Sequence, residues 1–510
     1  MAERPRTLGQ LQASGYPDES VRDEMRRNLM ARLAARKPLF PGIIGYDDTV
    51  IPQIVNAILA RHDLILLGLR GQAKTRIIRG LVSFLDDEMP IVAGSEVNDH
   101  PYHPISKHGV DLVAEHGDET PIEWVPRDAR YGEKLATPDV TIADLIGDID
   151  PIKAAAHRLH YSHEGVIHFG IVPRTNRGIF AINELPDLQP RIQVGLLNIM
   201  EEKDIQIRGF PVRIPLDVQM VFTANPENYT NRGNIITPLK DRIGSRVVTH
   251  YPHTLDDGIA ITAQEAWTNR DGGMAVRTPH LFREIIEQIA VEARHSEYVD
   301  EKSGVSARMA ISSIEDLVSN IERRALMNGE KEVSPRICDL YAMIPAITGR
   351  LELVYEGEQE GAQKVASALV GRAVRAVFAK YFPVPNVQKQ RKSKLPFEEE
   401  EDRTTTSVGN EVFGGIVGWF DSGNTVSISD RMTQREYRAA LDTVPNLRSV
   451  AEKAKDSILK DMDLYTVMEF VLEGLYAHSQ LSKDRLAEGR AVYRDLMSEI
   501  LGRGDESREW

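Results

Sequence analysis

Eight consecutive residues, Gly68-Leu69-Arg70-Gly71-Gln72-Ala73-Lys74-Thr75, have the make-up that phosphate binding demands. Small residues let successive backbone N–H groups turn inward toward phosphate oxygens, and a helix that follows adds the positive end of its dipole. In such a loop Gly68, Gly71, Gln72 and Ala73 supply the backbone, Lys74 reaches the β and γ phosphates, and the Thr75 hydroxyl joins the shell of a magnesium ion. The common pattern has Gly where Ala73 stands. A loop of this kind does chemistry only with a partner that activates water. The run RGIFAINELPDL places Asn183 and Glu184 at the end of an apolar stretch, and Glu184 is the carboxylate expected to orient or activate the attacking water. Asn183 occupies the position where an Asp would contact magnesium through its water shell. An amide accepts a hydrogen bond from a metal-bound water but brings no charge, so weaker magnesium affinity is expected.

Further along, VQMVFTANPENY is an apolar run ending at Asn225, a polar tip suited to sensing the γ phosphate or holding water. In TPLKDRIGSRV, Arg242 is the candidate that reaches from a subunit edge into a neighbour's site, with Arg246 and Arg232 competing for that role. Arg308, opening a helix in SGVSARMA, is a candidate second contact to the nucleotide.

These side chains need a framework of strands and helices. Residues 19–36 lack Gly and Pro and place Val21, Met25, Leu29 and Leu33 four apart, the stripe of an amphipathic helix. The pattern then predicts a helix over 49–60, a strand over 63–67, the Gly-rich loop and a helix over 75–85, which is the start of an α/β unit. Buried strands are expected at 178–182 and 218–223, a helix at 193–202, and a hairpin at 205–215 around Gly209. Beyond residue 253 helical periodicity dominates. The domain plan is an N-terminal helical arm (1–40), an α/β nucleotide-binding domain (41–252), a helical lid (253–382), a charged linker (383–410) and a mainly helical C-terminal domain (411–510), with helical periodicity dominating 433–502, SKDRLAEGRAVYRDLMSEILG included.

Taken in order, these motifs resemble the AAA+ branch that contains the magnesium chelatase ATPase subunit and the MoxR ATPases, over roughly residues 40–350. FPGIIGYDDTVIPQIVNAIL is similar to that branch's opening helix, and the GxAKT ending of the loop occurs in MoxR members. LATPDVTIADLIGDIDPIKAA followed by GIVPRTNRGIFAINELPDL resembles the chelatase arrangement ahead of the Walker B strand. The resemblance implies a P-loop AAA+ core with a parallel sheet, with Lys74 and Thr75 in Walker A, Glu184 in Walker B, Asn225 as sensor 1, Arg242 as arginine finger and Arg308 as sensor 2. It also implies ATP and Mg2+, a hexameric ring of this chain, and a partner carrying a von Willebrand factor A domain. A chelatase-like motor and a MoxR-like chaperone for a metal-dependent complex both fit. A sigma-54-type activator fits less well, because its GAFTGA loop is missing. A pure ATP-binding switch has no need of Glu184 or Arg242.

Composition excludes other classes. No apolar run approaches the ~20 residues of a membrane span, and no secretory core follows the N-terminal charges, so a cytoplasmic protein is expected. The single Cys338 allows no internal disulfide. A formal charge of −14 makes broad nucleic-acid binding an unexpected activity. The histidines His100, His103, His108 and His116 have spacings that permit zinc, but Pro101, Pro104 and Gly109 favour a solvated insertion loop.

Overall fold

The computed structural model describes residues 4–152, 154, 164–207, 213–225, 234–270, 276–330, 333–385, 403–457, 459–486 and 490–496. The chain divides into two compact units, Met1–Tyr251 and Pro252–Trp510.

In the first unit the strands are β1 (Leu64–Leu67), β2 (Glu88–Val92), β3 (Ile122–Pro126), β4 (Tyr131–Leu135), β5 (Gly147–Ile149), β6 (Ile167–Phe169), β7 (Gly178–Asn183), β8 (Asp204–Gln206), β9 (Arg213–Pro215), β10 (Val218–Ala224) and β11 (Ser245–Val248). Five of them form one sheet in the order β11-β1-β10-β7-β4, every pair parallel. A parallel sheet is covered on both faces, so its inner strands read as continuous apolar runs. Leu64, Ile65 and Leu66 of β1 and Ile179, Phe180, Ala181 and Ile182 of β7 are accordingly all buried. Register fixes where the strands end. Leu67 faces Ala224 on one side and Val248 on the other, Phe222 faces Ile182, and Leu135 faces Asn183. The polar residues that follow β1, β7 and β10 therefore leave the sheet along one edge, where ligands bind in open α/β sheets.

The helix expected over 75–85 is real but changes pitch, running as an α-helix over Lys74–Gly80 and a tighter 3-10 turn over Leu81–Phe84. The segment read as an N-terminal arm packs on this unit. Its helix Val21–Ala34 is capped by the Ser20 hydroxyl and buries Val21, Met25 and Leu29 in the same core as β1. Leu33, the fourth residue of the predicted stripe, is instead exposed. Two carboxylates anchor the polar side of this helix: Asp217 accepts the Val21 N–H at 2.7 Å, and Asp63 takes Arg22 at 2.8 Å. Its own Glu24 pairs with the buried Arg130 at 2.7 Å. The expected hairpin is present as β8 paired with β9; Gly209 lies outside the described residues.

The second unit is mainly helical, as expected, with long helices at His280–Arg294, Arg308–Asn328 and Ala362–Tyr381. Two local readings are corrected. The helix Arg403–Asp421 begins inside the segment read as linker. Ser482–Leu486 and Arg490–Arg494, read as helical, are strands: β12 (Val426–Ser429), β13 (Ser482–Leu486) and β14 (Arg490–Arg494) form an antiparallel sheet in the order β12-β14-β13. Its burial has period two, with Ala491 and Tyr493 inward on β14 and Val426 and Ile428 inward on β12. Residues from both sides of the 383–410 segment, among them Phe282, Leu317, Phe378, Phe413, Phe470 and Tyr493, belong to one hydrophobic core.

Candidate functional site

The loop after β1 is shaped by residues that sequence reading passed over. Gly68 has no room for a side chain: a Cβ there would overlap the Thr249 hydroxyl and the Gln72 amide oxygen. Those two groups hydrogen bond, Thr249 Oγ1 donating to Gln72 Oε1 at 2.7 Å, while the Thr249 N–H donates to the Leu67 carbonyl at 2.7 Å. The Tyr46 hydroxyl donates to the carbonyls of Gln72 at 3.1 Å and His250 at 2.6 Å. Tyr251 reaches the Arg70 carbonyl at 3.0 Å. The segment after β11 thus clamps the loop that follows β1. Gly71 has φ 74° and Ala73 φ 56°, so the chain enters the helix through two left-handed residues. Ala73 tolerates that conformation at a cost a glycine would avoid. Thr75 is exposed.

Lys74 is buried. Its Nζ donates to the carbonyls of Gly68 and Leu69 and, at 2.6 Å, to Asn225 Oδ1. Burial pulls its pKa down to about 8, against the opposing pull of the Glu184 carboxylate. Glu184 itself sits just past β7 with φ 55°, its N–H donating to Thr223 Oγ1 at 2.9 Å. Burial pushes its carboxyl above the usual carboxylate range; Lys74 and a hydrogen bond from the Asn225 backbone N–H pull the other way. The structure therefore gathers Lys74, Glu184 and Asn225 from three strand ends. A carboxylate of raised basicity beside a buried ammonium suits a group that takes a proton from water.

Asn183, at the tip of β7, uses both ends of its amide. Nδ2 donates to Glu133 Oε1 at 2.5 Å, and Oδ1 accepts from Thr223 at 3.4 Å. Glu133 lies on β4, a strand that the sequence reading did not identify, since YGEKL alternates weakly and offers one aromatic residue. Burial raises the Glu133 carboxyl, but hydrogen bonds from Arg79, Tyr131 and Asn183 outweigh it and leave the group below the ordinary range.

Arg242 and Arg246 bond to other groups. Arg242 ends the helix Thr237–Arg242 and forms a salt bridge with Glu201 and a 3.0 Å hydrogen bond to the Pro238 carbonyl. Arg246 donates to the Lys240 carbonyl at 3.0 Å. Arg232 lies outside the described residues. Arg308 is exposed on the first turn of the helix Arg308–Asn328, in the second unit.

The histidines do not form a loop of free imidazoles. His108 and His116 belong to the helix Lys107–His116 and bond to the carbonyls of Ala93 at 2.9 Å and Leu112 at 3.2 Å. His103 meets Asp18 at 2.8 Å. Burial takes His100 down to about 3, so it is neutral. Among the described residues no group of three or more His, Cys, Asp or Glu is placed to hold a metal ion.

No protein-family model and no curated protein matches this sequence. Solved structures similar to it include NtrX from Brucella abortus, at 13% identity over 57% of this chain and 56% of that chain with a TM-score of 0.32. A reconstruction of the complex between subunits BchI and BchD of magnesium chelatase matches at 19% identity over 64% of this chain and 99% of that one, TM-score 0.33. Hsp104 in a closed state with ATPyS and casein matches at 13% over 62% and 51%, TM-score 0.36. This chain spans little more than half the length of NtrX. At such scores the likenesses carry no functional weight.

Proposed function

We propose that this chain is an ATP-hydrolysing AAA+ motor that binds ATP with Mg2+ and remodels a partner protein. One observation carries the reading: Lys74, Glu184 and Asn225, from three separate motifs, meet at the edge of a parallel sheet beside the loop 68–75. The residues fit a phosphate chain. The loop has a cradle that a Cβ at Gly68 would fill, and among the described residues the hydrogen bonds of the buried Lys74 go to neutral oxygens. Thr75, with Asn183 through the water shell, would hold magnesium, which when bound would supply neutralisation of charge on the phosphate chain. Lys74 holds the phosphates, Asn225 orients Lys74 and donates its N–H to Glu184, and Glu184 accepts a proton from the attacking water.

In the finer reading the chain acts in a cytoplasmic hexameric ring like the magnesium chelatase ATPase subunit, with a partner bearing a von Willebrand factor A domain. Arg242 is then the finger: its bond to the half-exposed Glu201 is a surface pair, worth about 0–1 kcal/mol and readily exchanged for a neighbour's phosphate. Arg308 is the second sensor. A MoxR-like chaperone shares every one of these parts and differs only in its client. Among the described residues no helix is long and apolar enough to cross a membrane.

Steady-state ATPase activity against protein concentration tests the motor reading. A ring whose sites are completed by a neighbour gains specific activity as it assembles, and Arg242→Ala removes that gain. Constant specific activity from a monomer rules out shared sites.

A further inference from the structure

We propose that Glu133 supplies the carboxylate that position 183 lacks, so that the acidic group facing the nucleotide's divalent cation has been transposed from β7 to the neighbouring strand β4. The inference rests on the nucleotide-binding reading of the loop 68–75.

The two strands run parallel, with Glu133 opposite Ala181 and Leu135 opposite Asn183. Facing residues share a side of the sheet and side chains alternate along a strand, so Glu133 and Asn183 lie diagonally on one side. The long glutamate spans the diagonal, and Asn183 Nδ2 meets its Oε1 at 2.5 Å. The amide at 183 is what this contact requires. An aspartate there would set two carboxylates against each other, and like charges at that range cannot both stay ionised. With Asn183 donating, Glu133 keeps its charge and is held in one orientation.

A second element holds the other oxygen of the same carboxylate. Arg79 donates to Glu133 Oε2 at 2.9 Å, and the Tyr131 hydroxyl donates to the same oxygen at 3.0 Å. Arg79 lies four residues beyond Thr75 on the helix Lys74–Gly80, and residues four apart share a helix face. The helix face that carries the Thr75 hydroxyl is therefore the face from which Arg79 reaches Glu133. Arg79 is itself mostly exposed, so its hold on Glu133 is a surface ion pair of the weak kind and yields to a divalent ion. Magnesium keeps several of its waters and takes few carboxylates, so a single carboxylate on this side of the sheet suits it.

The test is the Mg2+ dependence of binding of a fluorescent ATP analogue to the full chain, with Mn2+ electron paramagnetic resonance as a direct readout of the cation. Glu133→Gln is expected to leave affinity in EDTA unchanged, which also reports a folded site, and to raise the Mg2+ half-saturation about tenfold. Asn183→Asp alone is expected to bring no gain. The double variant Glu133→Gln with Asn183→Asp returns the half-saturation to near the wild-type value. Arg79→Ala, which removes the ion pair and keeps the carboxylate, leaves Mg2+ dependence unchanged or strengthens it. The inference is overturned if Glu133→Gln has no effect on half-saturation, if the double variant stays as impaired as Glu133→Gln, or if Arg79→Ala reproduces the Glu133→Gln defect. Wild-type protein that binds no nucleotide in either medium refutes the nucleotide reading itself, a separate and recognisable result.

Discussion

Lys74 is under two opposing influences. Burial lowers its pKa to about 8, well below the 10.5 of a free lysine, while Glu184 pulls it upward. The unfolded chain keeps this proton up to the ordinary lysine value. The burial penalty on stability is therefore full below pH 8 and shrinks as pH rises from about 8 to 10.5. Nucleotide binding has the reverse dependence. A phosphate chain favours the charged lysine, so above pH 8 binding must draw a proton from solution. Affinity is expected to be flat in this respect below that pH and to fall as pH rises beyond it, with proton uptake visible by calorimetry in buffers of different ionisation enthalpy. Lys74→Ala should abolish both binding and uptake. Ala73 offers a smaller test. Its left-handed φ of 56° strains a non-glycine residue by about 1 kcal/mol, so Ala73→Gly should raise the stability of the ligand-free protein by a similar amount in denaturant unfolding. A decrease would mean that the left-handed turn is not populated.

Elements differ in how openly the sequence declares them. β1 and β7 are near-continuous apolar runs because both faces are covered, β10 is interrupted only by the buried Gln219 and Thr223, and each was readable together with the polar residues beyond its end. β4 was not, because an edge strand with one covered neighbour carries Glu133 and Lys134 among few apolar residues, and with it went the partner of Asn183. The clamp of Tyr46, Thr249 and His250 was equally hidden, since its contacts join residues about 200 apart. β13 and β14 misled for another reason. A run of charged residues with scattered apolar ones fits a helical period as well as an alternating one, and only burial decides. Lys483 on β13 shows what that burial involves. Its ammonium meets Glu473 at 2.5 Å with both side chains 1% exposed, Tyr341 and Tyr493 also donate to Glu473, and the rings of Tyr341, Tyr476 and Tyr493 surround the cation. Breaking one side of a buried pair strands the other charge, so Lys483→Met should destabilise the second unit by about 3–5 kcal/mol. Adding Glu473→Gln should recover much of it. Equal loss in single and double variants would show that packing, not charge, is at stake.

For the whole molecule, the net charge is −14 and no helix among the described residues is long and apolar enough to cross a membrane; under the proposed reading the motor acts on a partner protein. The client distinguishes the chelatase-like reading from the chaperone-like one. Incubation with protoporphyrin, magnesium, ATP and the remaining chelatase subunits is expected to yield metalloporphyrin under the first reading and none above background under the second. Both depend on hydrolysis at the site formed by Lys74, Glu184 and Asn225. The most direct measurement compares ATP binding and steady-state hydrolysis in the wild type and Glu184→Gln. The wild type should turn over ATP, and the variant should bind ATP with similar affinity while losing about 10²-fold or more in rate, the contribution of a positioned general base. A Glu184→Gln protein that hydrolyses ATP at the wild-type rate, or a wild type that binds no ATP, would contradict the account.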